Sequence, residues 1–144
     1  MELNTVRLDG PAAPSASVVL LRDAAADLEV FLLRRHSQSD VLGGVYVFPG
    51  GKADPEDLEW AARTDRSPAV LHDALGEPEL THEQAAALYV TAIRELFEEA
   101  GVLLAEVTPA QAREAWAALR QGPRFDELLA PTGVGQQACA QHPW

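Results

Sequence analysis

The sequence predicts a mixed α/β (α+β) domain, on two observations. Three short runs rich in β-branched and apolar residues occupy the first third of the chain, and two longer stretches with helical periodicity and recognisable caps occupy much of the rest. A Pro- and Ala-rich lead, Gly10-Pro11-Ala12-Ala13-Pro14, precedes the first run, Ser17-Val18-Val19-Leu20-Leu21, which reads as a buried strand. Asp23 to Asp27 connects it to Glu29-Val30-Phe31-Leu32-Leu33-Arg34-Arg35, a second strand that completes a hairpin. A polar loop, His36 to Asp40, and Gly43-Gly44 lead to a third extended piece, Val45 to Phe48, stopped by Pro49-Gly50-Gly51. Residues 52 to 81 carry Pro55, Pro68, Gly76 and Pro78 among many charges, which predicts a surface excursion with one short helix near Leu58 to Ala62.

At Thr81 a capping residue, with Gln84 in capping-box register, opens a long helix that should run to about Ala100 and stop at Gly101. Val102 to Val107 is expected as a short strand. Thr108, Pro109 and Gln111 repeat the start signal for a second helix ending near Gly122. A short apolar piece follows at Phe125 to Leu129, Thr132 to Gln137 has no useful periodicity, and the last dozen residues are expected to be poorly ordered.

Composition narrows what such a domain does. The chain has 144 residues, 47% of them hydrophobic and 23% charged, enough for one domain with its own core. A formal charge of −11 would repel a nucleic-acid backbone, so polymeric DNA or RNA is not an expected partner. No run approaches the ~18 apolar residues of a membrane helix, and the N-terminus lacks a basic flank followed by an apolar core; a cytoplasmic protein is expected. The single cysteine, Cys139, excludes an internal disulfide and a cysteine-based zinc site. His36, His72 and His82 read as ordinary surface histidines, and Trp60, Trp116 and Trp144 are too scattered to form a stacking platform for bases.

On a helical wheel, Ala85, Tyr89, Ala92, Ile93, Leu96 and Ala100 form an apolar side, with Glu95, Glu98 and Glu99 on the other. The i, i+3, i+4 spacing brings three carboxylates together in the last two turns, where they repel one another and face the negative end of the helix dipole. A divalent cation such as magnesium or manganese would reverse both penalties, because hard ions take oxygen ligands. A solvated acidic face is the alternative. Arg94 can pair with Glu98 one turn on, or with a carboxylate elsewhere, and Gly50-Gly51 permits close backbone approach beside a ligand. Lys52, directly after the pair, can meet a phosphate as a point charge.

Arg94-Glu95-Leu96-Phe97-Glu98-Glu99-Ala100-Gly101-Val102 resembles the second half of the Nudix box at every fixed position, and Phe48-Pro49-Gly50-Gly51-Lys52 resembles its opening. Between glycine and arginine lie 42 residues where the uninterrupted box has 13, an insertion of 29. The first box glutamate is either Asp57, counted from Gly51, or Glu56, counted from Gly50. The interrupted form is similar to the Nudix branch that includes the peroxisomal coenzyme A diphosphatases, over roughly residues 16 to 130.

The resemblance implies an α/β/α sandwich around a mixed sheet, and hydrolysis of a nucleoside diphosphate linked to another moiety, most naturally coenzyme A or acyl-coenzyme A, with magnesium or manganese. It implies that Glu95 and Glu99 are the principal metal ligands, that Glu98 is a further ligand or activates water, and that Arg94 orients them. Glu98, Glu99 and Arg94 would then form the catalytic set, with Gly50, Gly51 and Lys52 at the nucleotide. Family members continue with several more strands, whereas 42 residues follow Val102 here. The expectation is therefore one domain over residues 1 to 144, with an insertion at about 52 to 81, truncated at its C-terminus and left with an open sheet edge that a homodimer would complete. Two other readings stand beside it: a non-catalytic module that keeps the metal or nucleotide site, and an acidic helical interaction protein without metal.

Overall fold

A computed structural model describes residues 12–25, 27–37, 43–104, 107–122 and 125. Six short strands come first: β1 (Ser15–Ser17), β2 (Leu21–Asp23), β3 (Leu28–Val30), β4 (Leu33–Arg34), β5 (Tyr46–Val47) and β6 (Gly50–Lys52). Helices α1 (Pro55–Trp60), α2 (Pro68–Leu75), α3 (His82–Ala100) and α4 (Pro109–Leu119) follow, with a 3₁₀ turn at Ala61–Arg63. The strands pair antiparallel as β1 with β6, β2 with β3 and β4 with β5. Where a mixed sheet was expected, the described residues hold these three ladders and no parallel pairing.

The expected first strand divides because its two ends pair differently. Ser17 lies opposite Gly50, whereas Leu21 lies opposite Val30. Between them the Val18 amide donates to the Pro49 carbonyl at 2.8 Å, so the chain passes from one ladder to the next without losing its hydrogen bonds. The hairpin is present as β2–β3, with Arg22 and Glu29 paired across it. Its Val19, Leu21, Leu28, Val30 and Leu32 side chains remain exposed.

Helix α3 is the axis of the molecule. Its ends follow the local grammar: the Thr81 hydroxyl accepts from the Gln84 amide, the Gln84 side chain accepts from the Thr81 amide, and Gly101 closes the helix in the left-handed conformation at φ 68°. A Cβ on Gly101 would come within 2.9 Å of the Trp116 ring, so α4 seats against the helix end only because glycine is there. Burial on α3 is broader than one apolar stripe. Ala85 and Leu96 are buried as expected, Tyr89, Ala92, Ile93 and Ala100 only partly, while Ala86, Ala87, Val90, Thr91, Arg94 and Phe97 are also inside. The reason is that α1 and α2 cover one flank and β1 and β6 another.

Residues 52 to 81 are therefore not a surface excursion. Ala61 and Leu71 pack with Ala86 and Ala87 in one core cluster, and α2 starts at a Ser67 cap and stops at Gly76 in the left-handed conformation. A second cluster gathers Phe97 and Phe125, 5.8 Å ring to ring, with Trp60, Ile93, Leu103, Val107 and Trp116 around them. Among the described residues of the expected strand Val102 to Val107 there is no ladder; Leu103 and Val107 serve as packing residues instead. Phe125 belongs to the core, while Asp126 to Leu129, Thr132 to Gln137, Cys139 and the remaining tail lie outside the described residues.

Candidate active site

Arg94 sits at the centre of the acidic edge, 8% exposed. A guanidinium carries five N–H donors, and here all five are engaged. Nε donates to Asp57 Oδ1 at 2.9 Å and Nη2 to Asp57 Oδ2 at 3.0 Å, a bidentate fork. The other Nη2 proton goes to the Lys52 carbonyl at 2.9 Å. Nη1 reaches Glu95 Oε1 at 2.9 Å and Glu98 Oε2 at 3.1 Å. One residue thus ties β6 and the first turn of α1 to the acidic face of α3.

Asp57 is held as tightly, at 2% exposure. Asp54, Pro55 and Asp57 form the start of α1, and the Asp54 amide donates to Asp57 Oδ2 at 2.9 Å. Thr91 donates to the same oxygen at 2.8 Å. Of the two positions that counting allowed for the first box glutamate, the one brought to Arg94 is Asp57.

The glycine pair meets α3 by two different contacts. The Gly50 amide donates to Glu99 Oε2 at 3.0 Å. A Cβ on Gly51 would overlap the Glu95 carboxylate, lying 2.7 Å from Oε2, so glycine makes room for that side chain. On Gly50 a Cβ would lie 2.8 Å from the Ser17 Cα and collide with the backbone of β1. Strand alternation sends the exposed Lys52 side chain to the face opposite Gly51, and it is the Lys52 carbonyl that takes part in the cluster.

Four carboxylates, Asp54, Asp57, Glu95 and Glu98, lie within ion-pair distance of one guanidinium, and Glu99 adjoins them. Burial alone would raise the pKa of Asp57, but the hydrogen bonds from Arg94, the Asp54 amide and Thr91 outweigh it and hold Asp57 below the usual carboxylate value. Arg94 is likewise desolvated, yet its acidic partners raise its pKa and keep it charged. Glu98 goes the other way: burial raises its pKa, Arg94 opposes this, and Glu95 and Asp54 add to the rise.

The arrangement has a counterpart among solved structures. The chain is similar to the crystal structure of a Nudix hydrolase from Alicyclobacillus acidocaldarius, at 31% sequence identity and a TM-score of 0.67, over 88% of this chain and 57% of that one. The fold is Nudix-like. At that identity the likeness goes beyond architecture and supports the Nudix family. The chain spans little more than half the length of this solved relative. No family model and no curated protein matches it.

The two segments that resemble the halves of the Nudix box are adjacent in space, since Lys52, Asp57, Glu95 and Glu98 meet on Arg94. Among the described residues no three His, Cys, Asp or Glu side chains are already gathered into a metal cage. Each of Glu95, Glu98 and Glu99 is fixed through one oxygen, and its other oxygen has no donor among the described residues. Arg94 holds Glu95 and Glu98, the Gly50 amide holds Glu99, and Arg94 has no N–H left for a phosphate. Sequence reading missed Thr91 and Asp54. The only mark of Thr91 is a hydroxyl in a helix interior, one turn before Arg94. His72 and His82 pair ring to ring at 5.0 Å, joining α2 to α3. Among the described residues no helix is long and apolar enough to cross a membrane.

Proposed function

We propose that the chain hydrolyses the diphosphate linkage of nucleoside-diphosphate conjugates with magnesium or manganese, coenzyme A and acyl-coenzyme A being the substrates to try first. The observation that carries this reading is the set Glu95, Glu98 and Glu99, each anchored through one oxygen by Arg94 or the Gly50 amide with the other oxygen unclaimed among the described residues. Hard oxygen donors on adjacent helical turns suit such a cation. When bound, it would neutralise charge on the diphosphate and lower the pKa of the attacking water. Glu95 and Glu99 are assigned as its ligands. Glu98, whose proton affinity is raised, accepts the proton from water at Oε1 as the new P–O bond forms and the P–O bond to the leaving phosphate breaks. Arg94 keeps Asp57, Glu95 and Glu98 in place throughout, and the Gly50 amide keeps Glu99.

Incubation with coenzyme A and millimolar magnesium or manganese should yield two phosphomonoesters, and chelation should stop the reaction. Glu99→Gln should abolish turnover with an unchanged melting temperature, because it removes a ligand charge and little shape. Turnover of Glu99→Gln at the parental rate would show that Glu99 is not a ligand. A module that binds metal and nucleotide without turnover is the second reading. Binding without product after long incubation would select it.

A further inference from the structure

We propose that Thr91 is a positioning residue for the acidic edge: its hydroxyl fixes the Asp57 carboxylate, and through it the Arg94 fork that holds Glu95 and Glu98. The proposal rests on the functional reading above, while its first test does not.

Thr91 is 0% exposed in the middle of α3, and its Oγ1 lies 2.8 Å from Asp57 Oδ2 and 2.9 Å from the Ala87 carbonyl. Both neighbours are acceptors and the hydroxyl has one proton. The ionised carboxylate is the stronger acceptor, so the proton is directed to Asp57. Three donors then converge on Oδ2, from Thr91, the Asp54 amide and Arg94 Nη2, while Oδ1 takes Arg94 Nε. This grip sets the plane of the Asp57 carboxylate. A bidentate fork must follow that plane, which decides where Nη1 points and hence whether it spans Glu95 and Glu98. Without the hydroxyl, Oδ2 keeps only the amide and the guanidinium, and the carboxylate can turn, carrying the fork with it.

The test uses the full chain, first without metal. The Arg94 Nε–H is followed by ¹⁵N–¹H spectroscopy, its signal assigned by its loss in Arg94→Lys. Thr91→Val, which preserves side-chain shape, should move that resonance and speed its exchange with water about tenfold or more, the scale of one lost charge-assisted hydrogen bond. Thr91→Ser should restore the parental signal. If Thr91→Val does not melt cooperatively, Thr91→Ala provides the same comparison. An unchanged Arg94 signal in the valine or alanine variant overturns the proposal. Titration with Mn²⁺ then reads the consequence at the carboxylates: about tenfold weaker binding in Thr91→Val, near-parental binding in Thr91→Ser. Equal Mn²⁺ affinity in wild type and Thr91→Val would overturn the link to Glu95 and Glu98. A wild-type chain that takes up no Mn²⁺ would remove the functional reading, while the Arg94 signal would still decide the role of Thr91.

Discussion

The glycine pair separates stability from activity residue by residue. In Gly51→Ala the new methyl meets the far end of the Glu95 side chain, which can swing aside, so the melting temperature should stay within what about 1 kcal/mol allows while metal binding and turnover are lost. In Gly50→Ala the obstacle is the backbone of β1, and a cost of about 1–3 kcal/mol is expected. Thermal melts beside a hydrolysis assay distinguish the two. Asp57 supplies a pH signature. Its folded-state pKa lies below the unfolded value near 3.8, so its contribution to stability is present above that value and is lost as pH falls through the folded pKa. The stability gap between wild type and Asp57→Asn should therefore be widest near neutrality and close in acid. Much of this site was legible. The spacing of Glu95, Glu98 and Glu99 marked the cluster, the pairing of Arg94 with Glu98 was expected, and counting reduced the first box glutamate to two positions, of which Asp57 pairs with Arg94. Thr91 was not legible, because a helical pattern records which face a residue occupies but not which distant carboxylate lies across from it.

Among the elements, α3 and the start of α4 were readable to the residue because capping chemistry is local: Thr81 with Gln84, and Thr108 with Pro109 and Gln111; α4 stops at Leu119, short of the expected end near Gly122. Helix α2 uses the same grammar, Ser67 before Pro68 and Gly76 at the end, yet the surrounding prolines and charges concealed it. Its place in the core has a measurable result. Leu71, 2% exposed, should cost about 2–5 kcal/mol when changed to alanine, whereas a residue on a surface excursion would cost almost nothing. Denaturant unfolding of Leu71→Ala checks this. The strands were legible as strands but not as partners. Ser17 and Gly50 pair across 33 positions of sequence, and no alternation of residue types names a partner so far away.

For the whole molecule, an acidic chain with carboxylates gathered at one edge should be stabilised by the ion it binds. Saturating magnesium or manganese at ~100 times its dissociation constant is worth about 2.7 kcal/mol, which a melt resolves as an upward shift. Glu99→Gln should show little of that shift. A cooperative transition indifferent to metal would favour the acidic interaction protein instead.

The Arg94 clasp also closes the long gap between the two segments that resemble the box. It joins Asp57 and the Lys52 carbonyl to α3 across 37 and 42 positions of sequence, and residues 58 to 93 lie entirely inside the closed loop. Once such a loop is shut, each doubling of its length adds only ~0.6 kcal/mol of closure entropy. Closure entropy therefore sets little limit on the length of the enclosed segment, and packing sets the real one, because Ala61, Leu71, Ala86 and Ala87 inside that loop fill one core cluster.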